Sequence, residues 1–380
     1  MKKTWNFLDT ESNLYIEELD IVGQNQNYSV SKRRLSGGPN DNVDTIKIDN
    51  GAIKVCVIPT RGMGIWYVRK DDWRLGWKSP TRGPVNPKLV NLFEPSGIGW
   101  LRGFDEMIAR CGLECNGAPE FNENGTVKYP LHGCIQNTPA SKVTLSIDED
   151  EGIIELVGEV VESCMFGESY KLTSTVTLKI GENQFHINDK ISNLYNRPQK
   201  AQLLYHINFG EGTVAEGSPF FIPYKKVAPR SDWAAENMNH REVMDRPVSQ
   251  TPEVCFYYEP ATDADGATAA MVAAPDQSKG VMVKFNVNQL PCFCQWKNPV
   301  DLTEGYVCGL EPGVNYPNTT GYEQAHGRTI SLAPLGSWQC DLDIVVCPDA
   351  ASTTAAREYV QSLIPANPTV ESKPLAGWCE

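Results

Sequence analysis

The stretch Tyr170-Lys-Leu-Thr-Ser-Thr-Val-Thr-Leu-Lys-Ile180, then Gly181-Glu-Asn, then Gln184-Phe-His-Ile-Asn-Asp-Lys-Ile-Ser192 decides the fold class. Val176, Leu178 and Ile180 fall on one face of an extended chain and Thr175, Thr177 and Lys179 on the other, the period-two pattern of a half-buried strand. A Gly-led turn follows at once, so the second run folds back antiparallel on the first. The same grammar recurs outward in both directions. Strands are expected at 45–48, 52–58, 142–147, 153–161, 199–209, 280–285, 292–296, 305–311, 329–332 and 338–346. Helical signal is confined to 104–110 and to 353–363, where Ala356, Tyr359, Val360 and Leu363 make an apolar stripe. Residues 219–253 read as an irregular, Pro-containing excursion over one end of the sheets. The architecture expected is an all-β, extended antiparallel sandwich with few short helices.

With 380 residues, the chain suits one large domain over 1–380, opening with an N-terminal extension of strands over about 1–44 and closing with a helix and tail over 348–380. Its 41% hydrophobic and 21% charged residues describe an ordinary globular chain without a membrane span. The 34 basic and 47 acidic residues leave a net charge of -13, which argues against a polyanion such as nucleic acid as a partner. Asp9 and Glu11 interrupt the N-terminus before a signal-peptide apolar run can form, so a cytoplasmic location is expected. Twelve dispersed cysteines, among them Cys56 and Cys347 in strand-like runs, read as packed thiols. The pairs Cys111/Cys115 and Cys292/Cys294 lack a second set at zinc-finger spacing.

Three of the five histidines, His186, His240 and His326, fit solvated faces or loops. His206 is different: alternation along 199–209 sets Leu203, Tyr205, Ile207 and Phe209 on one side, and Gln202, Leu204, His206 and Asn208 on the other. A polar row in a core strand marks a site, although a satisfied buried histidine explains it equally well. His132 stands in a loop before Gly133, a residue that permits close approach of backbone or ligand. Glu311 ends the strand Gly305-Tyr-Val-Cys-Gly-Leu-Glu, on the face where Gly309 leaves space beside it, and desolvation there would raise its pKa toward that of a general base. Gln295 and Lys297 share a face with Phe293, which suits a hydroxyl-rich ligand or an ordinary edge strand.

In this order, the segments resemble the aldose 1-epimerase (galactose mutarotase-like) superfamily. The His132-Gly133 pair resembles its HG loop, Tyr205-His-Ile-Asn-Phe its H-x-x-F strand, and Gly309-Leu-Glu-Pro-Gly-Val-Asn-Tyr-Pro-Asn its late Glu-Pro segment; the resemblance runs from about Thr45 to Cys347. It implies a β-supersandwich and an isomerase that interconverts the anomers of a free sugar without a cofactor. Glu311 would be the base at the anomeric hydroxyl and His206 the acid at the ring oxygen, placed on opposite sides of the sugar ring. His132, Asn208 and Gln295 would bind the sugar, with Lys297 beside them. Arg110 would stand for the family arginine, Arg102 being an equal claimant; Asp232 is the nearest counterpart of the family's sugar-binding Asp. A homodimer stays open. Two other readings share the scaffold: a non-catalytic carbohydrate-binding protein, and a lyase or isomerase with a divalent metal on His132, His206 and Glu311.

Overall fold

The computed structural model describes residues 2–380. Two large sheets of ten and fourteen strands face each other, and their pairing is antiparallel except where Tyr224–Pro229 meets Thr369–Val370. The quoted stretch forms the strands Ser169–Lys179 and Gln184–Asn193, paired from Tyr170↔Asn193 to Leu178↔Phe185 near the middle of the ten-stranded sheet. Along them buried and half-buried residues alternate, because one face meets the core and the other meets water. Leu156, Val176, Ile187 and Ile344 of this sheet pack in one cluster with Ile65, Ile108, Tyr205, Ile207 and Leu310 of the other.

The fourteen-stranded sheet behaves differently. Ile108–Leu113 and Val307–Gly313 are buried throughout, and Gln199–Gly210 is buried at all but one position, so both faces of these strands are covered. Their inner face meets the core. Their outer face meets a smaller apolar cluster containing Trp77, Trp100, Phe104 and Leu204, brought over the sheet largely by the irregular segment between Trp73–Leu75 and Ile108–Leu113. The helix expected at 104–110 is absent: Ile108–Leu113 is a strand between Gln199–Gly210 and Gly64–Lys70, and the nearest helical turn is Gly99–Arg102. The run Met107-Ile-Ala-Arg-Cys-Gly-Leu is buried on both faces, so it lacks the alternation that would have identified it. The terminal helix is Ala350–Ser362, capped by Asp349 and Ser352, and Ala356 and Val360 pack on the outside of the ten-stranded sheet with Met271 and Met282.

Candidate active site

Four neighbouring strands carry the site on the outer face of the larger sheet. Leu204 pairs with Gly313 and Asn208 with Gly309, which sets His206 across from Glu311. On its other side Glu311 pairs with Cys294, and beyond that strand Trp296 pairs with Cys255. Directly paired residues project to the same face, so strand register alone lines up His206, Glu311, Cys294 and, through Trp296, Cys255 toward one region. Loops complete it. Gly99–Arg102 delivers Trp100, and the 130–134 loop delivers His132, whose backbone has a φ of 57°. The adjoining Gly133 has to be glycine, since a Cβ there would lie 2.3 Å from the carbonyl oxygens of both Gly112 and Cys115.

The result is a cavity of about 480 Å³ with His132, His206 and Glu311 in its lining, aromatic walls of Trp77, Trp100, Phe104 and Trp296, and Arg230, Glu253 and Glu304 also facing it. This volume lies in the usual range for small-molecule sites. His206 Nε2 stands 3.3 Å from Glu311 Oε1. The other ring nitrogen, Nδ1, is 2.6 Å from Asn208 Oδ1, while the Asn208 amide donates to the carbonyls of Glu106 (2.9 Å) and His206 (3.0 Å). Asn208 therefore presents an acceptor to Nδ1, which holds the imidazole proton there and turns Nε2 toward Glu311. Burial raises the Glu311 pKa well above the carboxylate range, with the Cys294 thiol opposing as a donor, and it lowers that of His206 to about 4. Both shifts have the same physical origin: a single proton shared between two buried groups leaves the pair uncharged. Glu311 Oε1 is buried without an aligned hydrogen-bond partner. It lies over Gly309, where a Cβ would come within 2.4 Å of it, so the space expected beside the acid is present.

His132 donates its backbone N–H to Gly117 at 2.9 Å, and its Nδ1 is 3.3 Å from Asn116 Oδ1. Its ring stands 5.5 Å from that of His206 and 4.8 Å from Trp100, centre to centre, and burial beside His206 keeps it neutral. Thus His132, His206 and Glu311 converge, but the acid and base stand side by side where opposite sides had been expected.

The expected sugar-binding residues fare differently. Arg110 projects into the core between the sheets, 3.1 Å from Asp189 Oδ1 and 2.8 Å from Ser174 Oγ, with both side chains of the ion pair fully buried. Its register partner is Tyr205, on the core face, so it cannot reach the cavity. Gln295 accepts from the Tyr258 hydroxyl at 2.6 Å and donates to Arg241 O at 2.8 Å; Lys297 pairs with Asp245 at 2.5 Å and donates to His240 O at 2.8 Å. Both share the face of Phe293, and that face belongs to the core. The cavity side of Cys292–Asn298 is Cys294 and Trp296, one residue out of phase with the expectation. Asn208 orients His206 and lies outside the lining, as do Arg102 and Asp232. The residues unforeseen in the sequence are the tryptophans, Phe104, Cys255 and Glu253; Arg230 lies within the excursion that had read as irregular and Glu253 at its end. Among the described residues no group of three or more His, Cys, Asp or Glu side chains is placed to hold a metal ion.

A family model described as a domain of unknown function, DUF4432, matches residues 40–346, close to the span of the resemblance noted in the sequence. A Klebsiella pneumoniae protein with the provisional name aldose 1-epimerase superposes with a TM-score of 0.94 at 30% identity, covering 99% of this chain and 100% of that one. This chain belongs to the DUF4432 family, a divergent branch of the galactose mutarotase-like superfamily. More distant structures share the fold: a galactose mutarotase-like protein of Clostridium acetobutylicum has a TM-score of 0.56 at 14% identity, covering 83% of this chain and 98% of that one. The Synechocystis protein Slr1438 gives 0.56 at 15% identity, with 83% and 99% covered. No curated protein matches the sequence. In this DUF4432 chain His132, His206 and Glu311, 74 to 179 residues apart along the sequence, line one cavity.

Proposed function

We propose that the chain is an aldose 1-epimerase, interconverting the α and β anomers of a free sugar. The observation that carries this reading is the approach of His206 Nε2 to Glu311 Oε1, 3.3 Å apart, in the lining of an aromatic-walled cavity. The anomeric hydroxyl oxygen and the ring oxygen are both bonded to C1, so an acid and a base that serve them have to be neighbours. In the ionised form of the pair, Glu311 takes the anomeric hydroxyl proton and the His206 imidazolium gives its Nε2 proton to the ring oxygen. The C1–ring oxygen bond breaks, C1–C2 rotates, and closure on the other face of the aldehyde reverses both transfers. The pair ends with the one proton it began with. Asn208 holds Nδ1–H throughout, and His132 faces the same space as a neutral donor or acceptor to the sugar.

The test is NMR saturation exchange between anomers. Glu311→Gln, which cannot accept the proton, is expected to reduce enzymatic exchange to the spontaneous background while sugar still quenches the fluorescence of the cavity tryptophans; His206→Asn is expected to lose most of kcat. Wild-type exchange by Glu311→Gln on a sugar that the parent protein turns over would end this assignment of roles.

A further inference from the structure

The mechanism accounts for the His206 and Glu311 end of the cavity and leaves its charged groups unexplained. Arg230 is the sole Arg or Lys in the lining among the described residues, and it is already engaged: Nη1 is 3.4 Å from Glu253 Oε1 and 3.8 Å from Cys255 Sγ. The other oxygen of Glu253 accepts the Trp296 indole N–H at 2.8 Å, so one carboxylate ties the guanidinium to an aromatic wall. Glu304, also in the lining, is held ionised by the Ser249 hydroxyl and the Gln250 amide, which lower its pKa. His132 is neutral, and His206 and Glu311 share one proton between them. A ligand therefore meets one cation and two anions, and the cation is partly neutralised from the start.

An anionic sugar would share the Arg230 guanidinium with the Glu253 carboxylate already beside it and approach Glu304 with no second cation to compensate. Recognition of a phosphate or sulfonate calls for converging guanidinium groups. Arg61 and Arg110 are buried in ion pairs with Glu106 and Asp189, and Arg82 and Arg102 are exposed outside the lining. A sugar hydroxyl has no such conflict, since it can accept from Arg230 and donate to Glu253 at once.

We propose that Arg230 and Glu253 determine specificity here: as a pair they hydrogen-bond hydroxyls of an uncharged aldose and disfavour sugars bearing carboxylate, sulfonate or phosphate. The inference rests on the mutarotase reading for its kinetic arm, while its binding arm is independent of that reading. Both arms use one panel on the full chain: D-glucose, D-galactose, D-xylose, D-glucuronate, D-galacturonate and glucose 6-phosphate. Anomer exchange is measured by NMR saturation transfer, and binding by quenching of tryptophan fluorescence. At least one neutral aldose is expected to exceed its anionic counterparts by about tenfold in kcat/KM and in affinity, roughly the effect of a unit charge at a partly solvated site. Glu253→Gln keeps an oxygen for Trp296 and removes the charge, so the anionic-to-neutral ratio is expected to rise by about the same factor. Faster exchange or tighter binding of a uronate or phosphate by the wild type overturns the proposal, as does an unchanged ratio in Glu253→Gln. Preferential binding of a neutral aldose without accelerated exchange would sustain this inference and remove the mutarotase reading. If no member of the panel binds, both fall.

Discussion

Gly309→Ala isolates the placement of the base from its chemistry. A Cβ at this position would lie 2.4 Å from Glu311 Oε1, 3.2 Å from Cδ and 3.3 Å from Cγ, and these are the three nearest atoms it meets. Ordinary contact begins near 3.4 Å, so the carboxylate has to retreat by about 1 Å. Glu311 is a flexible side chain, and its displacement relieves the contact without moving the strand, so the variant is expected to fold with a melting temperature close to that of the parent. Its chemistry should suffer more. A misplacement of about 1 Å costs roughly a hundredfold in rate, equivalent to about 2.7 kcal/mol of transition-state stabilisation. Saturation exchange on a turned-over neutral aldose is the assay, with a thermal melt alongside. Because Gly309 acts through Glu311, the double variant Gly309→Ala/Glu311→Gln should be no slower than Glu311→Gln alone. Wild-type exchange by Gly309→Ala would refute the reasoning, and so would losses that add in the double variant.

The pH profile of kcat/KM should be bell-shaped with a broad top, because the competent pair holds one proton: activity falls as pH drops through about 4, where His206 is protonated beside a protonated Glu311, and falls again on the alkaline side once the raised pKa of Glu311 is passed. An acidic limb centred near the ordinary histidine pKa of 6.5 would contradict it. Asn208→Asp puts a carboxylate on Nδ1–H, so the acidic limb should move upward; an unmoved limb would mean that Asn208 does not tune His206. Arg110→Leu leaves Asp189 buried without its guanidinium partner, and should lower unfolding free energy by about 3–5 kcal/mol while sparing KM of the molecules that remain folded. A raised KM without loss of stability, read by denaturant melts and exchange kinetics, would return Arg110 to the sugar.

Sequence alone was enough for the β class, most of the long strands and the terminal helix, because each of these rests on local periodicity. Val176, Leu178 and Ile180 alternate wherever the strand lies, and Ala356 and Val360 lie on one helical stripe before any partner is known. The same alternation separated His206 from Tyr205, and the one-residue spacing of Gly309 and Glu311 along their face foretold the space beside the acid. Periodicity stops short of saying which face of a strand meets the core when both faces are covered. Gln295 and Lys297 were grouped with Phe293 correctly, yet that face turned inward, and the site took Cys294 and Trp296. Arg110 went astray for the same reason: its strand is buried on both sides, and only pairing with Tyr205 shows that its guanidinium points to Asp189. Arg230 and Glu253 lie 23 positions apart in sequence and meet through the backbone contact of Arg230 with Cys255, a contact no local signal encodes. Side-chain direction is a property of a strand and can be read residue by residue. The identity of the face that becomes a cavity is set by which loops cover it, and that is decided by contacts between segments far apart in the chain.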